Sequence, residues 1–224
     1  MVLRSVDYGD ADRILTLLTE RWGRIAVMAR GARRSQRRFA GALEPFAILE
    51  ATVALGTGDV ARLTEARLLR AFPRLLGSLA GMREAGRALE LVRRVAPQRE
   101  GEPRLLAVVE RLFEELDTAT PEAPAVGGAH ARAAVRALAV VGLAPRLDLC
   151  VGCGRAPETR QSALFDPVRG GIVCRACGGG PLKLSARARR WLSIASTDAD
   201  PGPLQDRGEV EAVLEAFAER HPPS

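Results

Sequence analysis

The stretch AILEATVALGTGDVARLTEARL, residues 47 to 68, decides the fold of the N-terminal part of this chain. Two runs with a period of two flank GTGD (56–59), which predicts a pair of strands joined as a hairpin. In the first arm Ala51, Val53 and Leu55 share one face, while Glu50 and Thr52 take the other. Upstream, DRILTLLTERWGRIAVMA (12–29) supplies another pair of strand-like runs, turning near Trp22-Gly23. Several short strands within residues 1–75, with a basic loop between two of them, predict a small β-barrel of the OB-fold kind.

Past residue 75 the period changes. Met82, Ala85, Leu89, Val92 and Ala96 step by three and four, as do Leu105, Val109, Leu112 and Leu116, so amphipathic helices are expected. TATPEAPAVGGAH (118–130) reads as a loop, followed by a third helix from about 130 to 142 that ends near Gly142. Ser185 is placed to cap an Arg-rich helix, and Val210, Val213, Leu214 and Phe217 mark a last one. Strands followed by helices give an α+β class.

CVGC (150–153) and CRAC (174–177) form the pattern C-x2-C-x20-C-x2-C. Two residues between cysteines let both thiolates reach one ion, and two such knuckles complete a tetrahedron. Cys150, Cys153, Cys174 and Cys177 are therefore expected to hold one structural Zn2+, with no position left open for water. The other reading of the four is buried or redox-active thiols. The expected organisation is an OB-fold nucleic-acid-binding domain over 1–75 and a helical domain over 76–149. A four-cysteine zinc module follows over 150–181, then C-terminal helices over 182–224 that pack on the helical domain.

ARGARRSQRRF (29–39) places Arg30, Arg33, Arg34, Arg37 and Arg38 within nine positions. Charges this dense repel one another and resist burial, so the segment is a solvated loop or a surface for an anion. Arginine is abundant throughout (Lys183 is the one lysine), which makes a loop without a partner the bland alternative. As a DNA-binding loop, the guanidinium groups would hold phosphates. Phe39, with Tyr8 and Trp22 from neighbouring segments, would offer stacking faces. A net charge of +6 suits a polyanion partner.

Enzyme chemistry finds little support. His130 borders the Pro/Gly-rich loop, and Glu114-Glu115 falls on the polar face of a helix. GTGDVA sits in a hairpin rather than between strand and helix, so it fails as a dinucleotide fingerprint. Arg4, Asp7, Asp10, Asp12 and Arg13 interrupt any apolar leader, and no 18-residue apolar run suggests a membrane span. A cytoplasmic protein is expected.

Together these segments resemble the bacterial recombination mediator family RecO. The resemblance rests on LRSVDYGDADRILTLLTERWGRIAVMARGARR (3–34), on GALEPF (41–46), on the four-cysteine insert, and on LKLSARARRWL (182–192). Arg30 stands where the family usually has lysine, and relatives often continue with another basic segment after FAERH (217–221). The resemblance implies a nucleoid-associated, non-enzymatic protein that binds single- and double-stranded DNA and anneals complementary strands. With RecR it would help load RecA onto DNA coated by single-strand binding protein. It would also bind the acidic, apolar-ended C-terminal tail of that coat protein, in the helical region between about 76 and 145. Two other classes remain open. One is a zinc-ribbon regulator of transcription or translation that reads nucleic acid through Arg155, Arg160, Arg169 and Arg175. The other is a zinc-stiffened adaptor in which the basic loop is incidental.

Overall fold

Alternation along the first strands produces a five-stranded sheet: β1 (Val2–Tyr8), β2 (Asp12–Thr19), β3 (Gly23–Ala29), β4 (Ala47–Ala54) and β5 (Val60–Ala71), in the order β1-β2-β3-β5-β4. The computed structural model describes residues 1–39, 42–56, 58–119, 128–158, 160–197 and 199–220; the side chains of Gln36 and Arg37 lie outside that description. Neighbours pair antiparallel except β3 and β5, which run parallel through Ala26↔Val60, Val27↔Ala61 and Met28↔Arg62. As the hairpin expectation requires, β4 and β5 pair antiparallel, with Glu50 opposite Arg67 and Ala51 opposite Ala66; Thr57 of the GTGD between them lies outside the described residues. A closed barrel needs a further pairing between β1 and β4. None is found among the described residues, so the sheet is open and the barrel expectation is corrected. Alternation within each strand carries no information about whether the two edge strands meet.

Leu15, Leu17, Ile25, Val27, Ala61 and Leu63 fill one side of this sheet. Complete burial of a leucine or valine contributes about 1.5–3 kcal/mol, so this cluster is the main stabilising element of the sheet. The chain passes from β3 to β4 through a short helical turn, α1 (Gln36–Phe39), which packs on β5. Phe39 is 2% exposed and lies in the same core with Ala42 and Leu43. Phe39 is therefore no stacking face for a base. An aromatic after a basic run reads the same whether it points to solvent or plugs a core.

Three helices complete the first compact unit, Met1–Thr118: α2 (Pro73–Leu76), α3 (Leu79–Val95) and α4 (Pro103–Thr118). The apolar positions that predict α3 and α4 face inward, including Ala85, Leu89, Val92, Leu105, Val109, Leu112 and Leu116. Ser78 Oγ accepts from the Gly81 N–H at 3.1 Å and caps α3. Asp117 Oδ1 accepts from the N–H groups of Arg74 and Leu75, which satisfies the start of α2. Between α3 and α4 the chain docks on the β2–β3 turn, where the Arg24 N–H donates to the Pro97 carbonyl at 2.8 Å. Gly23 makes that approach possible: its φ is +57°, and a Cβ there would stand 2.0 Å from the Glu100 carbonyl oxygen.

The second unit, Ala119–Pro222, holds α5 (Ala129–Val140), a small sheet, and two final helices, α6 (Ala186–Ala195) and α7 (Arg207–Arg220). The sheet joins β6 (Ala163–Asp166), β7 (Gly171–Val173) and β8 (Leu182–Leu184) in the order β7-β6-β8, all antiparallel. Most of the loop expected over 118–130, residues 120–127, lies outside the described residues. Ser185 caps α6 as its position predicts, accepting from the Ala188 N–H at 3.0 Å. Val210, Val213, Leu214 and Phe217 of α7 are buried, with Phe217 edge-on to Phe165 at 6.1 Å.

Two substitutions test this packing by thermal unfolding. Gly23→Ala combines a positive φ with a backbone clash and should cost roughly 3 kcal/mol or more. Phe39→Ala should cost about 3–5 kcal/mol, a fall in Tm on the order of 10 °C. A Phe39→Ala variant that melts like the wild type would put the ring outside the core.

Candidate nucleic-acid interface and cysteine cluster

Two features of the fold invite chemistry. The first is the arginine segment that leaves β3. Its path is fixed by backbone contacts: the Gly31 N–H donates to Asp12 Oδ1 at 2.8 Å, and the Arg33 N–H donates to the Ala11 carbonyl at 3.0 Å. The N–H groups of Arg34 and Ser35 both reach the Gly31 carbonyl, a tight turn that uses the positive φ of Gly31. Ser35 Oγ then accepts from the Arg38 N–H at 3.3 Å and opens α1. The segment is thus tied to the β1–β2 turn rather than loose, while Arg30, Arg33, Arg34 and Arg38 stay exposed.

Those groups are not equivalent. Arg33 faces Asp7 at 3.6 Å, and Arg13 bridges Asp7 and Glu44 at 3.1 and 2.7 Å. Arg38 donates through Nη2 to the Arg30 carbonyl at 2.9 Å and lies over the Phe39 ring, 5.1 Å from its centroid. Arg30 and Arg34 are exposed and make no side-chain ion pair among the described residues. The Arg37 side chain is outside the description. Of the aromatics expected to stack, Tyr8 is 55% exposed, whereas Trp22 packs partly against the core beneath the Arg21 guanidinium. Beside the segment, Arg38, Glu50, Thr52, Glu65 and Arg67 line an open depression on β4 and β5. Its charges are mixed, since Arg67 is held by Glu50 at 3.0 Å.

The second feature is the cysteine cluster. All four sulfur atoms lie within 4.8 Å of one another, although twenty residues separate the two knuckles. The strand β7 brings them together: the Val151 N–H donates to the Ile172 carbonyl at 2.9 Å, and Cys174 directly follows that strand. Each knuckle turns sharply through a glycine of positive φ, Gly154 at +71° and Gly178 at +99°. At Gly152 a Cβ would sit 3.1 Å from the Cys177 sulfur.

Hydrogen bonds already favour anionic sulfur in part of the cluster. The Cys174 N–H donates to Cys150 Sγ at 3.3 Å and the Gly152 N–H at 3.4 Å. With the Cys174 N–H as the leading cause, the Cys150 thiol is drawn down to about 6. Its neighbours have the opposite effect on Cys177, which the Cys174 and Cys153 sulfurs push up to about 12. Four thiolates cannot crowd together unaided, and a bound dication is the usual relief. Cys153 and Cys174 are 3.8 Å apart, too far for a disulfide. That distance matches the separation of about 3.8 Å between two sulfurs of a tetrahedral site with Zn–S near 2.3 Å. The donor set and spacing fit a metal.

Arg155, Arg175 and Lys183 line a depression of about 390 Å³ beside the cluster, with Leu164 and Ile172 in its floor. Elsewhere, His130 is buried in α5 with Nε2 3.4 Å from Glu211, and Glu114 pairs with Arg70. Both are tied up as structural partners. Among the described residues no helix is long and apolar enough to cross a membrane.

Comparison with known proteins covers nearly the whole chain. Residues 1–72 match the family described as recombination protein O N terminal, and residues 84–223 match recombination protein O C terminal. A DNA repair protein RecO of Anaeromyxobacter sp. (strain Fw109-5) is 41% identical over 236 residues, covering 99% of this chain and 89% of the relative. The DNA repair protein RecO of Myxococcus xanthus is 36% identical, with 99% and 90% covered. That of Geobacter sulfurreducens is 34% identical at the same coverage. On matches of this extent to both halves, the chain belongs to the recombination protein O (RecO) family.

Proposed function

We propose that this chain is a recombination mediator in DNA repair that binds single- and double-stranded DNA through its first unit. The observation that carries the reading is the arginine segment, held in place by its backbone and exposing Arg30, Arg34 and Arg38, which have no acidic partner among the described residues. Residues 1–75 hold 13 arginines and 8 acids, a surplus of 13 − 8 = 5, and the segment contains five of those arginines. Arg30, Arg33, Arg34, Arg37 and Arg38 track phosphates. Arg33 exchanges Asp7 for a phosphate on binding. Family membership extends the reading to annealing of complementary strands. It also supports partnership with RecR in loading RecA, and recognition of the coat protein's acidic tail.

In the same reading Cys150, Cys153, Cys174 and Cys177 hold one structural Zn2+. Four thiolates close its coordination shell, so the ion ties the two knuckles together and activates no water. A second reading, supported by Arg155, Arg175 and Lys183 beside the cluster, has the cysteine module itself contact nucleic acid.

The loop is tested by the salt dependence of oligonucleotide binding. Each phosphate neutralised on a single strand contributes about −0.7 to the slope of log K against log salt. Replacing Arg33, Arg34, Arg37 and Arg38 with alanine should flatten that slope by roughly 2.8 and slow annealing, with little change in Tm. An unaltered slope would place the DNA contact elsewhere. Metal analysis of protein prepared without chelator should find about one zinc per chain. Cys153→Ser should lower Tm more than DNA affinity, because metal binding in such modules supplies on the order of 10–16 kcal/mol. Metal-free protein with an unchanged Tm would remove the zinc assignment.

A further inference from the structure

The side of the sheet turned away from its core carries residues that the arginine segment does not account for. Register places Arg4, Thr16, Ala26 and Val60 in one row across β1, β2, β3 and β5. Val6, Ile14, Met28 and Arg62 form the next row, and Tyr8 stands beside Asp12. Alternate residues of a strand point to opposite faces. Since Leu15, Leu17, Ile25, Val27 and Ala61 fill the core side, these rows lie on the other. The face is accessible: Val6 is 43%, Val60 47% and Tyr8 55% exposed.

Its charges differ from those elsewhere on the sheet. Arg13, Arg67 and Arg70 are each engaged by one or two carboxylates. Arg4 and Arg62 have no side-chain partner among the described residues, and Arg30, which directly follows β3, has none either. Of the acids near Tyr8, Asp12 accepts the Gly31 N–H and Asp7 pairs with Arg13 and Arg33, while Asp10 is exposed in the adjoining turn. Three strand spacings of about 4.8 Å separate β1 from β5, so Arg4 and Arg62 stand roughly 15 Å apart, a span of a few nucleotides.

We propose that this face is a second contact for single-stranded DNA, in which Tyr8 stacks on a base and Arg4, Arg30 and Arg62 hold the flanking phosphates. The proposal rests on the reading of the chain as a DNA-binding protein and adds where the bases go. Val6, Ile14 and Met28 form the apolar floor next to the stacked base. A duplex keeps its bases paired and cannot offer one to Tyr8, so this contact distinguishes single strands from duplex. Arginines without an acidic partner among the described residues, on the same face as an exposed aromatic, suit this ligand better than a protein surface, which would have to bring its own acids.

The test titrates an unstructured oligothymidine and a duplex against the full chain. Tyr8→Ala should weaken oligothymidine binding roughly 5- to 150-fold, the fold-change expected for a lost base stack, and leave duplex affinity and the salt slope unchanged. Tyr8→Phe should bind like the wild type. Arg4→Ala with Arg62→Ala should flatten the single-strand salt slope by about 1.4. An iodouracil-substituted oligonucleotide should cross-link within residues 5–13, which reads the contact without any substitution. Normal oligothymidine binding by Tyr8→Ala and by the double arginine variant would overturn the proposal and leave the face to a protein partner. So would equal loss of single strand and duplex, or cross-links confined to other segments. A wild-type chain that binds neither ligand would instead defeat the DNA-binding reading on which the proposal rests.

Discussion

The parallel pairing of β3 with β5 is the constraint from which the N-terminal unit follows. Antiparallel neighbours can be joined by a tight turn, but parallel strands need a long crossover. The chain leaving β3 at Ala29 must therefore pass over β5 before entering β4 on the far side. Residues 30–39 and 42–46 lie on that passage. A crossing segment must satisfy two environments at once. Phe39, Ala42 and Leu43 meet the sheet core, while Arg30, Arg33, Arg34 and Arg38 stay in water. The arginine segment is thus a structural bridge whose outer side is available for an anion, and its anchoring residues are separate from its charged ones. In the proposed function, that separation lets arginine substitutions alter an anion contact with little effect on folding.

The cysteine cluster is governed by a different constraint, electrostatic rather than topological. Backbone N–H groups lower the Cys150 thiol, while crowding by Cys174 and Cys153 raises Cys177. Sulfurs with opposed tendencies, brought within 4.8 Å of one another, form a donor set that one shared cation would balance. Gly152 allows close approach to Cys177, and the positive φ of Gly154 and Gly178 lets each knuckle turn.

Much of this was legible in the sequence, and the exceptions have physical causes. The hairpin over 47–68 and helices α3 to α7 could be read because burial of one face imposes a period on the residues themselves. Leu105, Val109, Leu112 and Leu116 are all buried as their spacing predicts. The cysteine pairs could be read because ligand geometry fixes a short local spacing. Barrel closure could not, since it depends on whether β1 meets β4, two edges far apart in the chain. The company Phe39 keeps points to solvent, and only the crossover shows that a basic run can carry a core residue. Likewise, Arg33 and Arg34 look alike in sequence, yet Asp7 of β1 holds one and not the other. The open face with Tyr8 emerges only from register, which sets Arg4 and Val6 in rows that run across β2, β3 and β5 and Tyr8 beside Asp12 of β2.

The proposed function makes the first unit the DNA-binding part of the molecule. The most direct measurement of that is amide hydrogen exchange of the full chain with and without oligothymidine. Slowed exchange is expected in residues 4–16, 24–35 and 60–64, with residues 150–179 exchanging as in the free protein. Slowing confined to 150–179, with the first unit unaltered, would contradict the account and move the nucleic-acid contact to the cysteine module.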